Sequence, residues 1–141
     1  MPKTKYSKYL NKEVVREDTK NTGSSITSTR QLQNFGGGHL SVDSIYVTRP
    51  HVMISQPHKH EFAQYLNFYS ANPRDGRDFD AEIEITLGEE QEKHIIKSPT
   101  AVYVPAGLMH GPINFARINK PILFLDIAVT GKYSRVGNTP D

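Results

Sequence analysis

From Leu40 to Val129 the chain is a succession of short apolar runs rich in β-branched and aromatic residues, each closed by turn-forming residues. "LSVDSIYVT" is followed by Pro50, "VMIS" by "QP" and "YLNFYS" by "ANPRDG"; then come "AEIEITLG", "KHIIK", "AVYVP", "INFARI" and "PILFLDIAV". None carries a sustained helical repeat, so the pattern predicts about eight strands and an all-β sandwich or barrel. In "AEIEITLG", Ala81, Ile83, Ile85 and Leu87 share one face and Glu82, Glu84 and Thr86 the other, which predicts a strand with one side in the core and one in water. "PILFLDIAV" is apolar on both faces. That marks it as a central strand or a subunit contact, and a homodimer is expected.

Residues 11 to 39 break this pattern, being poor in apolar side chains and rich in Ser, Thr, Asn and Gly, as in "NTGSSITSTR" and "NFGGGH". Such composition buries too little surface to offset its ordering entropy. The expected organisation is an irregular N-terminal arm over 1–37, partly disordered or packed on the domain or a partner, and one domain over 38–141. Lys3, Lys5, Lys8 and Lys12 alternate with polar residues and tyrosines, the pattern of a solvated tail.

Length and charge narrow the picture further. A chain of 141 residues supports one core. Its 17 basic and 15 acidic residues give a net charge of +2, which argues against a nucleic-acid surface. The absence of cysteine excludes disulfides, thiolate ligands and cysteine nucleophiles. No apolar run approaches the roughly 18 residues of a membrane span, and the N-terminus lacks a secretory signal's apolar stretch. The expectation is a soluble, cytoplasmic protein without membrane or nucleic-acid partners.

Candidate chemistry lies in two places. In "PHKHEFAQ", residues 57 to 64, His58 and His60 alternate by two, so on an extended segment both imidazoles project to one side, as needed to share an ion. Gln64 is in phase, but four extended residues span roughly 13 Å, whereas donors sit about 2.1 Å from a metal. The chain must turn at Glu61 to Ala63 if Gln64 is to join. The second place is "PAGLMHGPIN", residues 105 to 114, where a Pro-x-Gly turn delivers His110 at the start of an apolar strand. Together they offer three imidazoles and an amide.

These two stretches resemble the sequence motifs of the cupin superfamily. The first cupin motif runs His-x-His, three or four residues, Glu, and later Gly. The second runs Gly, five residues, Pro-x-Gly, two residues, His, three residues, Asn. His58, His60, Gln64, Pro105, Gly107, His110 and Asn114 fall on those positions, and the likeness spans roughly residues 38 to 130. The stretch "AEIEITLGEEQEKHIIKSPTAVYVPAGLMHGP" is also similar to small single-domain cupins. The resemblance implies a small antiparallel β-barrel with a mononuclear metal at its mouth, held by His58, His60, Gln64 and His110.

The sequence departs from the motifs at Pro99, where the second motif opens with glycine, and at Gln64, where the first usually has glutamate. A neutral amide removes one negative charge and leaves three neutral imidazoles on a divalent ion, which lowers metal affinity and favours an anionic or chelating small molecule. Three readings of Gln64 stay open: a weak ligand through its carbonyl oxygen, a hydrogen-bond donor to bound water or substrate, or the mark of a site that has lost its metal.

For function, the resemblance implies an Fe(II) dioxygenase first. The alternatives are a non-oxidative isomerase, lyase or cyclase using Zn, Ni or Mn, and a ligand-binding or sensor barrel without turnover. The second needs a titratable group near the substrate, for which Glu61, Asp126 or a tyrosine is available.

His39, His51 and His94 lack partners at ligand spacing and read as surface or loop residues. Glu61 reads as a solvated neighbour, or as a substitute ligand if the chain kinks. Asp126, on a face with Ile122 and Phe124, needs a partner such as a backbone amide or Arg117. Phe62, Tyr65, Phe68, Tyr103 and Met109 read as packing. No phosphate-binding glycine loop and no nucleophile context is present.

Overall fold

The computed structural model describes residues 5–17, 28–33 and 35–130. The described chain forms one short 3₁₀ turn, Ser7–Tyr9, and ten strands: β1 Val15–Glu17, β2 Ser28–Gln33, β3 Ser41–Val47, β4 His51–Ile54, β5 Gln64–Ser70, β6 Ala81–Leu87, β7 Glu92–Ile96, β8 Thr100–Val104, β9 His110–Ile118 and β10 Ile122–Ala128. All eight expected strands are present, as β3 to β10. Every pairing is antiparallel.

The strands form two sheets, one ordered β1-β2-β3-β10-β5-β8 and the other β4-β9-β6-β7. They do not close on each other, so the expected barrel is corrected to two facing, open sheets. The reason lies in the edges: β8 and β7, consecutive in the chain, end different sheets and do not pair with one another.

Between the sheets lies the core. On β6, Ala81, Ile83 and Ile85 are buried and Leu87 packs against them, as the alternation requires. Ile113 and Phe115 on β9, Leu66 and Phe68 on β5, and Ile122 and Phe124 on β10 complete the apolar layer. Phe68, Phe115 and Phe124 form an aromatic cluster, with Phe68 and Phe124 at 5.0 Å between ring centroids. Each such fully buried side chain contributes about 1.5–3 kcal/mol.

β10 is a central strand, hydrogen-bonded to β3 on one side and β5 on the other. Its inward residues Ile122, Phe124 and Ala128 are buried, while Leu123, Leu125 and Ile127 are half-buried on the outer face.

Two further expectations change. The stretch read as an irregular arm contributes β1 and β2, which extend the larger sheet beyond β3. Backbone pairing with a ready edge holds these polar segments. Tyr65 and Tyr103, read as packing, stand on the outer face at 44% and 54% exposure and pack against each other. Lys5, Lys8 and Lys12 are exposed, as expected of a solvated tail, whereas Lys3, residues 18–27 of the arm and residues 131–141 lie outside the described residues.

Candidate metal centre

Backbone hydrogen bonds bring the two motif stretches together at one end of the sheets. His58, in the link between β4 and β5, exchanges two of them with His110 at the start of β9: N–H to O distances are 2.9 and 2.8 Å. Gly107 N–H donates to the carbonyl of His60 at 2.8 Å, and Leu108 N–H closes the turn onto Pro105 O at 3.2 Å. Gly107 has φ +84°, with open space where a Cβ would stand, so backbone conformation and not crowding calls for glycine there. The chain bends at Glu61 and Phe62, the turn that spacing demanded, and Gln64 then opens β5 in the opposite sheet.

The result is a compact group of three imidazoles. Ring nitrogens of His58, His60 and His110 lie within 4.8 Å of one another. Donors about 2.1 Å from one ion are at most about 4.2 Å apart, so only a small inward adjustment separates this group from a coordination sphere. All three are buried, as is Gln64, at 1 to 2% exposure. Phe62 stacks on the His60 ring at 4.6 Å and 18°, holding its plane.

The tautomers follow from the neighbours. Nδ1 of His58 lies 3.3 Å from Gln56 O, and Nδ1 of His110 lies 3.0 Å from Leu108 O. A carbonyl only accepts, so each Nδ1 carries the hydrogen and each Nε2 presents a lone pair. Such backbone contacts fix the direction of metal-binding imidazoles.

Gln64 stands at the start of β5 in the other sheet, buried like the histidines. Its Nε2 donates to both carboxylate oxygens of Asp126, at 3.1 and 3.3 Å, while its Oε1 is buried without a hydrogen-bond partner. Asp126 projects inward from β10, opposite Asp43 on β3. Burial pushes its carboxyl up to about 7; the nearby Asp43 adds to this, and the Gln64 hydrogen bond opposes it.

Other candidates fall elsewhere. Glu61 is exposed and, with Lys59, His60, Ala106 and Gly107, lines a surface hollow, outside the histidine group. Arg117 is not the partner of Asp126; it pairs with Asp80. His39 is exposed, His94 pairs with Glu92 at the surface, and His51 stacks on Phe115. Asn114 lies beside Glu84 and Lys93 in an outer groove of the smaller sheet.

The Gln64–Asp126 contact went unread in the sequence. Its signal was a carboxylate on the inward phase of an apolar strand, matched by the inward Asp43 in "SVDSIYV".

The donor set fits a divalent first-row metal: three oriented imidazoles and a buried amide oxygen lacking a partner are ligands of the kind iron, manganese, nickel or zinc takes. His58, His60, His110 and Gln64 are the residues that would hold it.

Two facing antiparallel sheets with a histidine cluster between them at one end define the cupin architecture, and comparison with solved structures shows the same fold. A cupin-2 domain from Rhodospirillum rubrum superposes with a TM-score of 0.57 at 12% identity, over 89% of this chain and 74% of that one. The polyketide cyclase RemF from Streptomyces resistomycificus gives 0.51 at 18% identity, over 94% and 81%. Oxalate decarboxylase from Bacillus subtilis, which has Mn(II) centres, gives 0.51 at 16% identity over 76% of this chain, and the chain spans 26% of its length. The protein has the cupin fold. No protein-family model and no curated protein matches the sequence.

Proposed function

We propose that this protein binds a divalent metal through His58, His60 and His110, with Gln64 beside it, and uses that centre to hold a small anionic or chelating molecule. The observation that carries the reading is the buried group of three imidazoles within 4.8 Å of one another, two of which turn Nδ1 to a backbone carbonyl. Nothing in an apolar core requires three histidines, and their desolvation is compensated when a cation takes the lone pairs. The Mn(II) centres of oxalate decarboxylase, on the same fold, support the same assignment.

When bound, the ion supplies Lewis acidity toward a carbonyl or carboxylate oxygen. The chain does the rest. Gln56 O and Leu108 O hold two rings in direction, Phe62 holds the third in plane, and the burial of the group keeps bulk water from the donors. With three neutral imidazoles the centre keeps its positive charge, which favours an oxygen-rich anion over a neutral ligand. Dioxygenase chemistry with Fe(II) is the first activity to assay. A non-oxidative cyclase or lyase is the second, since the RemF cyclase shares the fold.

Metal content tests the reading. Protein purified without chelators is expected to carry close to one first-row metal per chain, and His58→Ala and His110→Ala to lose most of it. Unchanged metal content in both variants would refute the ligand assignment. Oxygen uptake by the Fe(II)-loaded protein with diketones, catechols and keto acids, beside product analysis without oxygen, then separates the two activities from ligand binding alone.

A further inference from the structure

We propose that Asp126 is a positioning residue for this centre: it locks the Gln64 side-chain amide with Oε1 toward the three histidines, so that a neutral glutamine does the work of a carboxylate ligand. The proposal rests on the metal-binding reading above and adds a role for a residue on another strand.

The argument is one of donors and acceptors. An amide has two ends of similar shape, and only Nε2 can donate. Asp126 receives that end on both carboxylate oxygens, at 3.1 and 3.3 Å. Turning the amide over would set Oε1 against carboxylate oxygens, acceptor against acceptor, so an ionised Asp126 allows one orientation. Oε1 is then directed away from Asp126 and remains buried without a hydrogen-bond partner. Leaving such an acceptor unsatisfied costs about 1–3 kcal/mol, a cost removed when a cation, or a donor held by one, meets the oxygen.

Placement supports the same conclusion. Gln64 pairs with Ala128 in the β5–β10 register and its side chain reaches diagonally to Asp126, so two adjacent strands of one sheet set the geometry. The carboxyl group that a glutamate would bring to the ion stands one residue further out, on Asp126. The amide dipole has its positive end on Asp126, and on this proposal its negative end serves the imidazole group. Outer groups of this kind typically change metal affinity about 10- to 100-fold when removed.

The test is a double-mutant cycle read as Mn(II) affinity, by competition with a chromophoric chelator on metal-stripped full-length protein. Asp126→Ala is expected to weaken binding about 10-fold or more in the parent. In a Gln64→Ala background the same change is expected to add no more than about 2-fold, because the group it orients is gone. The exchange variant Gln64→Glu/Asp126→Asn keeps one donor and one carboxylate at swapped positions and is expected to bind at least as tightly as the parent. It also serves if Asp126→Ala folds poorly. Equal losses from Asp126→Ala in both backgrounds, no loss in either, or failure of the exchange variant to recover affinity would overturn the positioning role while leaving the histidines as ligands. A parent that takes up no Mn(II), or a His58→Ala/His110→Ala variant that takes up as much, would overturn the metal reading itself.

Discussion

At the scale of single residues, the histidines were legible and their neighbour was not. His58, His60 and His110 announce themselves because His-x-His and a Pro-x-Gly turn before a histidine are local patterns. Asp126 meets Gln64 across 62 positions of chain, through strand pairing that no local pattern encodes. The surface ion pairs at the far end are equally non-local: Lys120 reaches Asp78 at 2.9 Å, and Arg117 pairs with Asp80. Hydrogen bonds from Lys120 and Asn72 hold Asp78 below the usual aspartate range, and one from Arg117 does the same for Asp80. An acid with a depressed folded pKa contributes stability above its unfolded value and loses it as pH falls through the folded one. Melting temperature at low ionic strength is therefore expected to drop between pH 5 and pH 2 by more in the parent than in Asp78→Asn/Asp80→Asn. Because the pairs are exposed, added salt is expected to shrink the difference. Parallel pH profiles for the two proteins would contradict this.

At the scale of elements, all eight strands from β3 onward could be read because each is a short run with β-branched or aromatic residues between turn residues. β1 and β2 could not, since they are polar and held by edge pairing. The turns repay closer inspection. Gly111, directly after His110, has φ +96°, and a Cβ there would come within 3.1 Å of both Gln56 O and Ile54 Cγ2. Gln56 O is also the acceptor that orients His58. Gly111→Ala is expected to destabilise the fold by about 1–3 kcal/mol and to loosen metal retention together with it. Urea unfolding and chelator-challenge curves on one preparation check both effects; full retention of metal in a destabilised variant would separate the turn from the site.

At the scale of the whole molecule, the two sheets present different outer faces. The smaller sheet carries ion pairs, Lys93 with Glu84 and Lys97 with Glu82. The larger sheet carries no charged side chain on the outward positions of β3, β10, β5 and β8, and shows Tyr46, Tyr65, Tyr69 and Tyr103 around the half-buried Leu123 and Leu125. In a two-fold contact a surface meets its own copy; apart from Arg30, whose guanidinium lies over the Tyr46 ring at 5.2 Å at the margin of this face, these four strands bring no like charges together, and tyrosine is favoured in such contacts. We propose this face as the contact of the expected homodimer, with a second copy as occupant. Sedimentation of the parent is expected to give a dimer and Tyr65→Glu/Tyr103→Glu a monomer; a monomeric parent, or a dimeric variant, would refute the placement.

The division of the proposed ligand set between the sheets has its own effect. His58 and His110 belong to the side of β9 and Gln64 to the side of β5, across a gap that no described strand bridges. An ion gripped from both banks, as proposed, would act as a rivet, so that letting it go and letting the two layers part become one motion, and whatever removes the metal would also slacken the clasp.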